Sequence, residues 1–361
     1  MKLEQRSPFN YDWELKKTTF PRNKGRVFSC FSCAGGSTMG YELAGFDVIG
    51  CCEIDKTAYD IYVANHSPKF GFNCSIKELL YSELPDELFH LDILDGSPPC
   101  TTFSMAGLRD KVWGVEKTFR EGQTKQVLDT LFFDFIALAN RLRPKVVIAE
   151  NVKGLLLGKA QSYVKRIYEE FDKAGYSVSH YLLNASYMGV PQRRERIFFV
   201  CVRKDLGFLD NIDMSFNYRP ITFGELSTRV GAYINGKTQY LWENRISTDR
   251  NLSYPHKRIF KKNGFFGQAL VHNNEVCPTL TSHRDCAFRY DKPRFLSLDD
   301  WRKISTFPRD FNFYDRSPYY FMGMSVPPVM MANIAMRVYE NILSKINTCD
   351  NSAFRELLLS L

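Results

Sequence analysis

A cysteine behind two prolines, a glutamate closing an apolar run and two arginines one residue apart are the side chains of this chain whose types and spacing could do chemistry. Cys100 lies in GSPPCTTFS (96–104), after an apolar run at 91–94 that predicts a strand. Pro98 and Pro99 fix φ and lack backbone donors, so the thiol is offered on a stiff turn. Open α/β sheets place ligands beyond the carboxyl ends of their strands, which makes Cys100 a candidate nucleophile. A structural loop cysteine is the alternative from this stretch alone. Glu150, followed by Asn151, closes KVVIAE. A carboxyl there is either held by hydrogen bonds or raised in pKa, and one near neutral can donate a proton to a ring nitrogen; capping the next helix is the alternative. In QRRERIFFV (192–200), period-2 alternation sends Arg194 and Arg196 to one side, suiting a carbonyl oxygen, a phosphate or a salt-bridged edge.

A second group precedes these. FSCAGGSTMG (31–40) is a glycine-bearing turn between a strand and a helix, where small residues and a helix N-terminus admit a ligand. It lacks GxGxxG, so it does not point to pyrophosphate. Glu53 ends the next strand, where doubly wound folds place a carboxylate for ribose hydroxyls, and the pair suggests an adenosine-type ligand.

Strands at 27–31, 47–55, 90–96, 145–151 and 196–202 alternate with helices that include 57–66, 130–142 and 162–176. This order predicts a doubly wound α/β sheet preceded by a polar extension, residues 1–24. Residues 205–293 lose the alternation and predict a smaller domain; its stretch HKRIFKKNGFFGQ (256–268) interleaves cations and aromatics, suiting phosphates and bases or a solvated basic loop. Helices return at 296–308 and 327–346.

Composition narrows the classes. A 44% hydrophobic, 24% charged chain is globular, and a net charge of +8 favours a polyanionic partner. No apolar run reaches the roughly 20 residues of a membrane span, and no signal-peptide core opens the chain, so a cytoplasmic protein without membrane contact is expected. The ten cysteines form no secreted-type framework. Cys30 and Cys33 make a CxxC without a matching second pair, so no metal is expected.

PPC at 98–100, ENV at 150–152 and QRRER at 192–196 follow one another as in DNA (cytosine-5) methyltransferases, with FSCAGGSTMGYELAGF at 31–46 and GMSVPP at 323–328 in the matching places. The chain resembles that family from Arg26 to about Ile346, apart from 205–293. The resemblance implies a mixed sheet of the class I S-adenosylmethionine-dependent methyltransferase type, with a catalytic domain of 25–204 plus 321–361. It implies a target-recognition domain at 205–320 that reads bases in the major groove of double-stranded DNA.

The implied reaction methylates C5 of a flipped-out cytosine. Cys100 attacks C6, Glu150 serves N3, and Arg194 or Arg196 holds O2, with Pro99, Asn151 and Gln192 completing the site. The cofactor pocket falls to Phe31, Cys33, Ala34, Gly35 and Gly36, to Glu53 and Ile54, to Ser75 and Ile76, and to Pro98, Leu131, Ser325 and Val326. Residues 105–125 match the family's mobile loop. A compact monomer of prokaryotic or phage type is implied, and a cognate restriction endonuclease is left open. Four positions depart from the family pattern: Cys33 replaces a glycine, Ser75 an aspartate, Thr101 a glutamine and Met324 an asparagine. Two alternatives stand beside this reading, a tRNA cytosine-5 methyltransferase of the same fold and a DNA-binding module with impaired cofactor binding.

Overall fold

The structure, a computed structural model, describes residues 5–99, 130–157, 160–207 and 212–346. Cys100, Thr101 and the 105–125 segment lie outside them. The chain divides into two compact units, a larger one of Phe20–Leu183, Glu195–Ser215 and Met331–Leu361 and a smaller one of Met1–Thr19, Asn184–Arg194 and Phe216–Met330. Residues 184–194 and 321–330, expected with the catalytic domain, thus fall with the smaller unit. So does the N-terminal segment, where the buried Trp13 donates from Nε1 to the Thr306 carbonyl at 2.9 Å.

In the larger unit, β1 (Arg26–Cys30), β2 (Asp47–Cys52), β3 (Phe70–Phe72), β4 (Ile93–Gly96), β5 (Val146–Val152), β6 (Tyr176–Asn184) and β8 (Glu195–Arg203) form one sheet. Its order is β3-β2-β1-β4-β5-β8-β6. β1 to β5 pair in parallel, and β8 runs antiparallel to β5. Helices α1 (Gly36–Ala44), α2 (Lys56–His66), α3 (Ile76–Tyr81), α4 (Leu131–Leu142) and α5 (Gln161–Lys173) alternate with the strands. This is the doubly wound sheet that the alternation predicts, and the antiparallel β8 makes it mixed, as the family resemblance implies. β3 is too short to leave a signal, and β6 is a partly exposed edge strand without the apolar run of a buried one.

The chain winds outward from β1 to β3 and returns to β4 on the other side of β1. The β1/β4 boundary is therefore the topological switch point, beyond whose carboxyl ends a doubly wound sheet opens its crevice. The turn after β1 and the Gly96–Pro99 turn after β4 both start there. Beneath them, α4 buries Leu131, Phe132, Phe135, Leu138, Ala139 and Leu142 at helical spacing against the sheet. The Phe132 ring meets Phe199 of β8 edge-on at 5.7 Å.

The smaller unit holds β7 (Gln192–Arg193) paired with β10 (Cys277–Pro278), and β9 (Ala269–Val271) paired with β11 (Ala287–Arg289). Around them lie α6 (Phe223–Leu226), α7 (Gly236–Glu243), α8 (Ser253–Phe260), α9 (Leu298–Ser305) and α10 (Pro318–Met324). One of its cores gathers Ile234, Leu241, Trp242, Leu252, Leu270 and Phe288. α11 (Pro328–Val338) follows α10. Among the described residues, no helix is long and apolar enough to cross a membrane.

Gly96 tests the packing at the switch point. A Cβ there would come within 2.5 Å of the Phe135 ring, which is fully buried, so ring or strand would have to shift. Gly96→Ala is expected to cost about 2 kcal/mol, read from urea unfolding. An unchanged midpoint would show that this contact is slack.

Candidate functional site

The turn between β1 and α1 is built on left-handed backbone: Phe31 has φ 53°, Cys33 49° and Gly35 88°. At Gly35 a Cβ would fall 2.2 Å from His66 Nε2, so only glycine fits beneath the turn. Glu53 fixes this turn from the neighbouring strand. Its Oε2 accepts the Cys33 N–H at 2.8 Å and its Oε1 the Asp55 N–H at 2.8 Å. Burial raises its carboxyl above the usual range while these backbone donors pull it back. Each oxygen retains lone-pair capacity, so Glu53 can hold the turn and still accept hydroxyls from a ligand. Gly35 is the N-cap of α1 and brings no side chain to the first-turn N–H groups, an arrangement that suits a carboxylate.

The other pocket residues expected in this unit have local duties. Ala34 and Gly36 are buried in the turn, and the Ile54 and Glu53 carbonyls accept from Asn73 Nδ2 at 3.4 and 2.8 Å. Ser75 caps α3: its Oγ accepts the Glu78 N–H at 3.1 Å while Glu78 reaches back to the Ser75 N–H at 2.7 Å. Ile76 and Leu131 are buried at the starts of α3 and α4.

At the carboxyl end of β5, Glu150 Oε1 meets Arg196 Nε at 2.9 Å, with side chains 12% and 16% exposed. Glu150 faces Phe198 and Val152 faces Arg196 in the antiparallel register, so the two charges are diagonal neighbours on one face. Burial lowers the affinity of Arg196 for its proton, and Glu150 opposes that fall. Next to the pair, Asn151 Nδ2 donates to the Pro98 carbonyl at 3.1 Å and fastens the turn that leads to Cys100. Pro98 is buried and Pro99 half-buried.

Arg194 requires a correction. The chain turns at this residue, with its N–H on the Gln192 carbonyl at 3.1 Å, and β8 starts only at Glu195. Strand alternation therefore does not run from Arg196 back to Arg194. The buried Arg194 guanidinium donates to the carbonyls of Leu280 at 3.2 Å and Gly323 at 3.0 Å, inside the smaller unit. Gln192 is buried there too, donating to the Ile304 carbonyl at 3.3 Å and accepting from the Leu280 N–H at 3.2 Å. Ser325 and Val326 are buried after α10, and Ser325 Oγ has no hydrogen-bond partner among the described residues.

Two buried groups near the switch point escaped the sequence reading. The His66 side chain, 2% exposed, lies under the glycine turn, and Asp95 shares its strand stretch with a second acid, Asp92.

The C-5 cytosine-specific DNA methylase model matches residues 25–340. The chain belongs to that family. It is 31% identical to the Type II methyltransferase M.FnuDI of Fusobacterium nucleatum, an alignment covering 89% of this chain and 96% of that one. It is 29% identical to the Type II methyltransferase M.Sau96I of Staphylococcus aureus, over 94% of this chain and 82% of that one. Among solved structures, a Spodoptera frugiperda DNMT2 variant shares the fold with a TM-score of 0.59 at 14% identity, over 87% of this chain and 99% of that one. This cytosine-5 DNA methyltransferase therefore carries its family's PPC, ENV and QxRxR segments, and family and fold imply S-adenosylmethionine as the methyl donor and DNA as the substrate.

Removing one member of the mostly buried ion pair leaves the other uncompensated. Arg196→Ala is expected to destabilise the methylase by about 3 kcal/mol at neutral pH, with Arg196→Lys costing less, both by denaturant unfolding. A negligible loss in Arg196→Ala would mean that solvent already screens the pair.

Proposed function

We propose that this methylase transfers a methyl group to C5 of a cytosine flipped out of a specific duplex sequence, through a covalent bond between Cys100 and C6. The observation that carries the proposal is the Glu150–Arg196 pair standing beside the Asn151-tethered Pro98 turn. C6 of cytosine is the acceptor end of a conjugated C5=C6 bond, and thiolate addition there, aided by a proton at N3, makes C5 nucleophilic. In the proposed step the Cys100 thiolate bonds to C6 as the C5=C6 electrons move towards N3, which takes its proton from Glu150 entering the step as the acid, while Arg196 steadies O2. Arg194, committed to two carbonyls, is left out of that role. The later loss of the C5 proton to water re-forms C5=C6 and expels the thiolate, and N3 returns its proton to Glu150. C6 is shielded in a stacked duplex, so the base has to leave the helix first.

The residues of the larger unit fit the methyl donor. The α1 N-terminus with Gly35 as its cap suits an amino-acid carboxylate, and the lone pairs remaining on Glu53 suit a ribose. When bound, S-adenosylmethionine supplies an electrophilic methyl group to C5. Cys33 and Ser75 are compatible with this pocket: Cys33 presents its backbone N–H to Glu53, and Ser75 caps α3.

For the DNA surface, the basic aromatic stretch divides in two. His256 is buried, Phe265 packs on the small core and Arg258 is tied to Asp249 at 2.7 Å. Lys257, Lys261, Lys262 and Phe266 remain exposed, and these are proposed to meet the phosphates and grooves. Replacing Lys261 and Lys262 together by alanine should weaken binding to all duplex sequences alike. The slope of log affinity against log salt should fall by about two, as for two lost phosphate contacts. An unchanged slope would move the DNA surface elsewhere.

The mechanism itself is tested by trapping. Duplex DNA carrying 5-fluorocytosine at the target has no C5 proton to lose, so the wild type should form a stable adduct and Cys100→Ser none. Methyl transfer by Cys100→Ser at the wild-type rate would remove the nucleophile assignment, and transfer to tRNA alone would favour the RNA-modifying alternative.

A further inference from the structure

Asp95 stands one residue before Gly96, at the root of the turn that runs to Pro99. It is 1% exposed in the centre of the sheet, where a carboxyl is out of place unless its oxygens are satisfied. Two hydroxyls satisfy them, one on each oxygen. Ser29 Oγ of β1 donates to Oδ2 at 2.8 Å, and the buried Tyr41 Oη of α1 donates to Oδ1 at 3.1 Å. Ser29 is also its register partner across β1 and β4.

One carboxylate thus joins three elements: the strand leading into the glycine turn, the helix leading out of it and the strand leading into the Pro-Pro turn. Asn151 fastens that second turn from β5. A core position needing nothing but stability would be served as well by an apolar side chain of similar volume. The titratable groups that interact electrostatically with Asp95 are Cys30 on β1, Tyr41 on α1, Tyr62 on α2 and Glu150 on β5.

We infer that Asp95 is a positioning residue for methyl transfer, its ionised carboxylate locking the glycine turn and the Gly96–Pro99 turn into one frame. The inference rests on the reading of the site given under the proposed function. An ionised carboxylate accepts both hydroxyls at once, whereas a protonated one carries its own O–H, so one of the two hydroxyls must turn its proton away. Burial pushes the Asp95 carboxyl up to about 7, and the charge of Glu150 adds to the rise while the Ser29 and Tyr41 hydroxyls oppose it. The locked form therefore gains population as pH rises through that value.

The test is single-turnover methyl transfer, enzyme in excess, from tritiated S-adenosylmethionine to mixed-sequence genomic duplex DNA, on both sides of pH 7. The rise common to any thiol nucleophile cancels in ratios between variants. Asp95→Asn should transfer about tenfold more slowly than wild type at high pH and approach it at low pH, while S-adenosylmethionine binding changes by less than about threefold. Tyr41→Phe removes one donor to the charged form and should keep the step but move it up by about one pH unit. This milder variant carries the test if Asp95→Asn does not fold, as judged by circular dichroism. An Asp95→Asn profile matching wild type, or a Tyr41→Phe step that stays in place, overturns the inference. A wild type that transfers no methyl group overturns the functional reading and this inference together, and is told apart because the wild type itself is silent.

Discussion

The ion pair between Glu150 and Arg196 is the interaction on which the candidate site depends. It exists because β8 runs against β5. An antiparallel strand brings its own beginning to the carboxyl end of its neighbour, so an arginine at the start of β8 arrives beside a glutamate at the end of β5. A parallel strand in that place would have brought its last residues instead. The same logic holds on the other side, where the parallel register of Gly96 with Ala149 sets the Pro-Pro turn beside Glu150 and Asn151. Asn151 then converts proximity into a fixed distance through the Pro98 carbonyl.

The cofactor side relies on another carboxylate with two duties. Glu53 binds backbone N–H groups on both of its oxygens and so holds the left-handed turn that contains Cys33. A side chain in that conformation costs about 1 kcal/mol relative to glycine, and the hydrogen bond that the Cys33 N–H donates to the Glu53 carboxylate offsets it. The departure at Cys33 is thereby absorbed locally. Ser75 is similarly employed, since a serine is a better helix cap than most residues and its capping box with Glu78 orders the start of α3.

Much of this was legible in the sequence. Alternating apolar runs and helical periodicities marked β1, β2, β5, β8, α1, α4 and α5, because burial on a sheet or along one helix face imposes those periods. Glu150 and Arg196 were legible as chemistry because both are charges at strand ends. The partners of Arg194 were not, since they are carbonyls 86 and 129 residues away and a local turn cancels the alternation. The aromatic half of 256–268 was ambiguous for a similar reason: His256 turns its Nδ1 to the Lys262 carbonyl, a contact that composition does not reveal. Asp95 is not legible because Asp92 and Asp95 in HLDILDG both read as ordinary polar positions of a strand, and only the hydroxyls of Ser29 and Tyr41 disclose that Asp95 is interior.

The central claim is that cytosine in duplex DNA is methylated at C5. Nucleoside mass spectrometry of unmethylated duplex DNA and of tRNA, each incubated with the protein and S-adenosylmethionine, tests it most directly. The account predicts 5-methyldeoxycytidine from the DNA, accumulating at a fixed sequence, and no new methylcytidine from the tRNA. DNA free of 5-methyldeoxycytidine after incubation with folded protein would contradict it.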